Sequence, residues 1–149
     1  MQTLFECTVR YSTPVEGTNQ QKMVSEVYLF EAFTYTEAEK RAYEKLPELI
    51  QCEFKVKSIR KARYAEVIPN EEGYWYKVKI SFIVIDEKTG KEKRVSQTVL
   101  TRAEDIKDAI DRTNNALNDT PNFMVKAVNE SAILDYLPYM ERSRQKYSE

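Results

Sequence analysis

Lys22-Met-Val-Ser-Glu26 returns later in the chain as Lys93-Arg-Val-Ser-Gln97, an offset of 71. Phe54-Lys-Val-Lys57 returns as Phe123-Met-Val-Lys126, an offset of 69. Thr36-Glu-Ala-Glu39 matches Thr101-Arg-Ala-Glu104, an offset of 65. Each of the last pair reads as a capping box opening a helix: the Thr oxygen accepts from the N3 amide while the Glu reaches back. The shorter offset implies about six extra residues before the first helix, near 29–35. Matches in the same order at nearly constant spacing read as an internal duplication, which governs the whole fold.

Each copy predicts strand, strand, helix, strand. Phe5, Cys7, Val9 and Tyr11 alternate with polar residues, the period of a half-buried strand. Pro14 to Gln21 form a turn, 23–33 the returning strand, 36–50 a helix that Pro47 disturbs near its end, and 53–64 the third strand. In the second copy, strands over 74–85 and 93–100 flank the Asp86–Lys91 loop, where Gly90 takes a positive φ. A helix over 102–117 and a closing strand over 122–133 follow. The expected fold class is α+β: two tandem β-β-α-β repeats packed as one domain, mainly antiparallel sheet with helices on one face. The first repeat covers 1–68, a linker 69–73, the second repeat 74–137 and a tail 138–149.

Composition narrows the function by exclusion. Of 149 residues, 42% are hydrophobic and 32% charged, the balance of a globular chain. There is no histidine, which removes Ser-His-Asp and Cys-His nucleophile systems and His-ligated zinc. Cys7 and Cys52 are the only cysteines, too few for a disulfide framework. All three glycines, Gly17, Gly73 and Gly90, fall in expected turns, so no phosphate-cradling loop remains. The paired acids Glu71-Glu72, Asp86-Glu87 and Glu104-Asp105 sit in turns or at a helix start, and Asp135 reads as a hydrogen-bonded structural acid. No enzyme, metal or cofactor is expected. With no secretory pattern and no apolar run of spanning length, a cytoplasmic location is expected.

Twenty-three basic and 24 acidic side chains cancel to −1, yet they are segregated. Acids gather in the helices and the linker. Residues 53–64 carry Lys55, Lys57, Arg60, Lys61 and Arg63 against the single acid Glu53, and Lys77 and Lys79 mark the 74–85 strand. Alternation turns Lys55, Lys57, Lys77 and Lys79 outward. If the two strands share a sheet, their outward faces merge into a basic strip with Tyr64, Trp75 and Tyr76 beside it. Such a face suits single-stranded nucleic acid: cations pair with phosphates and bases stack on rings. Exposed lysines also solubilise strands and protect edges, which is the plainer reading of the same residues.

The chain resembles an uncharacterised domain family of Bacteroidota genomes and their phages. The resemblance rests on Phe5-Glu-Cys-Thr-Val-Arg-Tyr11, Tyr28-Leu-Phe-Glu-Ala-Phe-Thr-Tyr-Thr-Glu-Ala-Glu39, Phe54-Lys-Val-Lys-Ser-Ile59 and Pro138-Tyr139. It implies an accessory role in phage or mobile-element biology and carries no catalytic residues. The leading expectation is therefore a non-enzymatic binder of single-stranded nucleic acid. Lys55, Lys57, Arg60, Lys61, Arg63, Lys77 and Lys79 would meet phosphate, and Tyr64, Trp75 and Tyr76 would stack. The competing expectation is a protein-interaction or sequestering module, as a homodimer or bound to a host protein or small ligand.

Overall fold

The computed structural model describes residues 3–120 and 122–138. Among them the chain is mixed α+β, with eight strands in two sheets and two helices. It divides into two compact units, the first holding residues up to Ala62 and from Ala132 on, the second Arg63–Ser131. No helix among the described residues is long and apolar enough to cross a membrane.

In the first unit, β1 (Thr3–Pro14) and β2 (Gln21–Ala32) form a long antiparallel hairpin. β3 (Phe54–Ala62) lies antiparallel on the free side of β1, and β8 (Ile133–Leu137) runs parallel to β2, giving the order β3-β1-β2-β8. Alternation sends Phe5, Cys7, Val9, Tyr28, Phe30 and Ala32 to one face. There they meet Ala38, Ala42 and Leu46 from α1 (Tyr35–Lys45) and its 3-10 extension Leu46–Glu48. Fully burying side chains as large as Phe5, Phe30 and Leu46 contributes roughly 1.5–3 kcal/mol each, and all three are at 0% exposure. Pro47 sits in the 3-10 turn, where a missing amide interrupts the α-helix and ends it at Lys45 rather than Ile50.

The second unit repeats this layout. β5 (Tyr74–Ile85) and β6 (Glu92–Ala103) form the hairpin, β7 (Phe123–Glu130) lies beside β5, and α2 (Ile106–Ala116) covers one face. The core joins Tyr76, Val78, Ile80, Val99 and Ala103 to Ala109. The fourth strand, β4 (Glu66–Ile68), runs parallel to β6, so the order is β4-β6-β5-β7. Gly73, at φ +112°, precedes β5 where a Cβ would lie 2.3 Å from the Ala103 carbonyl oxygen.

Both helix starts differ from the expected ones. The caps are Thr34 and Asp105, not Thr36 and Thr101. Thr34 Oγ1 accepts from the Glu37 amide at 3.1 Å while Glu37 Oε1 accepts from the Phe33 amide at 3.0 Å. Asp105 Oδ1 accepts from the Asp108 amide at 2.8 Å while Asp108 Oδ2 accepts from the Glu104 amide at 3.0 Å. Thr101 is unavailable because it is a buried strand residue whose hydroxyl is bonded to that of Thr113 at 2.8 Å. The expected excess near 29–35 vanishes with it: β1, β2 and α1 each have a counterpart of equal length, at a constant offset of 71, in β5, β6 and α2.

The division into units also departs from the expected boundaries at 68 and 74. β4 follows β3 after residues 63–65 yet pairs with β6, and β8 follows β7 after residues 131–132 yet pairs with β2. Each sheet is thus completed by a strand from the other half of the sequence. From residue 139 on, the expected tail lies outside the described residues.

Candidate functional site

The strip expected from Lys55 to Lys79 rests on two strands sharing a sheet, and they do not. β3 is the outermost strand of the first sheet, whereas β5 is an interior strand of the second. Trp75 and Tyr76 are 3% and 6% exposed, which withdraws both rings from stacking on a base. Lys77 and Lys79 are exposed on β5, while Arg63 (exposed) and Tyr64 (half-buried) lie in the segment between β3 and β4. What stays together is Lys55, Lys57, Arg60 and Lys61, all exposed on β3.

The local geometry of β3 follows from its alternation and one irregularity. Phe54, Val56 and Ile59 pack against the core, leaving the intervening side chains to solvent. Val9 pairs with Val56 and Thr8 with Ser58, so Lys57 is an unpaired extra residue at a β-bulge. Lys55 stands directly opposite Arg10, a cross-strand neighbour of like charge. Arg10 Nε donates to Ser25 Oγ at 3.4 Å. Arg60 stands opposite Glu6, 4.0 Å from its carboxylate. Lys61 falls on the helix side, its Nζ 5.8 Å from the ring centroid of Tyr35. Tyr35 in turn packs edge-on against Phe5 at 4.9 Å.

The outer edge of β3 is partly occupied. Tyr43 stacks on Phe54 with centroids 5.4 Å apart, and its hydroxyl accepts from the Val56 amide at 3.2 Å. One outward donor is therefore used inside the unit, and four cations line the rest of the strand. Both features disfavour pairing with another strand and leave the edge open to an anion.

Two residues of this arrangement escaped the sequence reading. Arg10 was legible as outward-facing, since Phe5, Cys7, Val9 and Tyr11 point inward, but its pairing with Lys55 depends on the β1–β3 register. Tyr35 was hidden inside the segment assigned to the extra residues.

The Cys7 thiol is pushed up to about 12 by burial, which disfavours its thiolate form at neutral pH. Asp135 Oδ1 accepts from the Tyr136 amide at 2.9 Å. Among the described residues, no group of three or more Cys, Asp or Glu side chains is placed to hold a metal ion.

No curated protein and no solved structure matches the chain. A family model described as a domain of unknown function, DUF4494, matches residues 3–139 of the 149. The chain belongs to that family.

Proposed function

We propose that the protein is a non-enzymatic binder of single-stranded nucleic acid, and that binding uses the β3 edge of the first unit rather than a strip spanning both units. One observation carries the reading: the two units differ in chemistry at corresponding positions. At the β3-to-β7 offset of 69, Lys55, Arg60 and Lys61 correspond to Met124, Asn129 and Glu130. At the β1-to-β5 offset of 71, Arg10 corresponds to Ser81. Among the β3 cations only Lys57 keeps a basic counterpart, Lys126. A solubilising role alone gives no reason for β3 to carry cations that β7 lacks at the corresponding positions. It gives still less reason to set Arg10 against Lys55, because like charges directly opposite destabilise a sheet unless an anion neutralises them. A phosphodiester backbone supplies repeated negative charges along an edge of this kind.

The test is binding of a fluorescent single-stranded oligonucleotide, read by anisotropy at low salt. Wild type and a Lys77→Glu, Lys79→Glu double variant bind alike, and Lys55→Glu with Lys57→Glu abolishes binding. Absence of binding by the wild type refutes the reading.

The architecture supports a duplicated origin. Three elements recur at an offset of 71, and the register shifts at Thr8/Val9 and Lys79/Ile80 hold the same offset. Each copy is then β-β-α-β-β, with the final strands exchanged between halves. An accessory role in phage or mobile-element biology follows from the resemblance to Bacteroidota and phage domains and is proposed on that ground.

A second reading, protein interaction, draws on the second unit. Met124, Ile83 and Ile85 are exposed and lie on the sheet face opposite α2. Molar mass in solution across a concentration series tests its homodimer form, which a constant 17.5 kDa refutes.

A further inference from the structure

On the reading of β3 as a phosphate-binding edge, we propose that Tyr35 is a base-stacking residue, forming with Lys61 a nucleotide subsite at the Ala62 end of the strand.

Of the stacking residues expected from sequence, Trp75 and Tyr76 are buried and Tyr64 is half-buried beyond the end of β3, so β3 itself carries cations for phosphate and no platform for bases. Tyr35 supplies one. It is the first residue of α1, immediately after the Thr34 cap, and is 49% exposed although its ring packs on the core. Phe5, fully buried, meets it edge-on at 4.9 Å and holds the ring from behind. Thr34, bonded to the Glu37 amide, fixes the backbone that carries it. The ring is therefore anchored while half of the residue stays exposed, which lowers the ordering cost of stacking a base on it.

Lys61 lies over this ring, with Nζ 5.8 Å from its centroid, and is exposed. Its flexible stem allows the ammonium to leave the ring for a phosphate when a base takes its place. Arg60, on the opposite face, and Lys57, at the bulge, are the next cations along the strand. An aromatic face and a cation at one end of a basic strand match the two parts of a nucleotide, base and phosphate.

At the corresponding positions the second unit lacks both parts. Ile106 stands where the second copy would carry its equivalent of Tyr35, and Glu130 stands in the place of Lys61. Tyr35 and Lys61 thus both belong to the first unit, and neither has a like counterpart in the second.

The experiment compares a fluorescent thymidine 12-mer with an abasic phosphodiester of equal length, on the full chain as wild type, Tyr35→Phe and Tyr35→Leu. Leu retains apolar contact with Phe5, and circular dichroism verifies the fold of each variant. Wild type and Tyr35→Phe are expected to bind the thymidine oligomer about ten-fold more tightly than the abasic one, and Tyr35→Leu to lose that preference while still binding both. Equal binding of both oligomers by the wild type, or an unchanged preference in Tyr35→Leu, overturns the stacking subsite and leaves the phosphate edge standing. Binding of neither oligomer by the wild type overturns both.

Discussion

Arg10 and Lys55 face each other across the β1–β3 ladder, two exposed cations in directly paired positions of one sheet. Opposed like charges cost a free sheet some stability, and an anion lying over the pair recovers it. The relationship thus connects a stability measurement to a binding measurement. Lys55→Glu is expected to raise the stability of the unliganded protein by roughly 0.2–1 kcal/mol while weakening oligonucleotide binding. Chemical denaturation and anisotropy on the same variant check both signs. A variant that lost stability and kept its affinity would remove the functional reading of the pair.

Arg41 is a buried cation of the first unit, 8% exposed. It donates to the carbonyls of Glu31, Leu137 and Pro138, at 3.4 Å and 3.0 Å for the last two, and lies over the Phe30 ring. It therefore fixes the end of β8 against the sheet. Arg41→Met is expected to destabilise the first unit by roughly 1.5–3 kcal/mol and to speed amide exchange in β8 and β2. Its counterpart on α2, Arg112, is a half-exposed partner of Asp108 at 2.9 Å, so Arg112→Met costs less than about 1 kcal/mol. Equal losses from the two substitutions would contradict the clamp.

The cap of α2 is carboxylate chemistry and responds to acid. Asp108 is held below the usual carboxylate range, chiefly by the amide of Glu104 and then by Arg112. A depressed folded-state pKa contributes stability above the unfolded pKa, and that contribution is lost as pH falls through the folded value. Wild type should therefore lose stability below about pH 4 more steeply than Asp108→Asn. Parallel acid limbs in pH-dependent denaturation would contradict the assignment.

Gly73 combines φ +112° with no room for a side chain, since a Cβ would lie 2.3 Å from Ala103 O. Gly73→Ala is expected to lower stability by about 1–3 kcal/mol. Trp75, buried close by in the same unit, reports this unfolding by its fluorescence. For the same reason Trp75 is not expected to respond to oligonucleotide bound at β3.

Much of the fold was legible because it depends on local patterns. The alternation of Phe5, Cys7 and Val9 located β1, and the Lys22 and Lys93 segments located the returning strands. The helix starts were misread because Thr-x-x-Glu occurs at 36–39 and at 101–104 without serving as a cap. Only burial reveals that Thr101 is engaged with Thr113. The exchange of β4 and β8 was not legible either. Glu66-Val-Ile68 is three residues long, too short for a periodic signal, and its partner is chosen by tertiary packing. At the site, the cations of β3 were readable from composition and alternation. Their placement in a different sheet from Lys77 and Lys79, and the burial of Trp75 and Tyr76, follow from which strands pair, which no local pattern encodes.

The central claim is that nucleic acid binds the β3 edge of the first unit, and backbone amide chemical-shift mapping during titration with a single-stranded oligonucleotide tests it most directly. The account predicts shifts concentrated at Arg10, at 55–61 and at Tyr35, with 74–85 unmoved. Shifts centred on Lys77 and Lys79, or none at low salt, would contradict it.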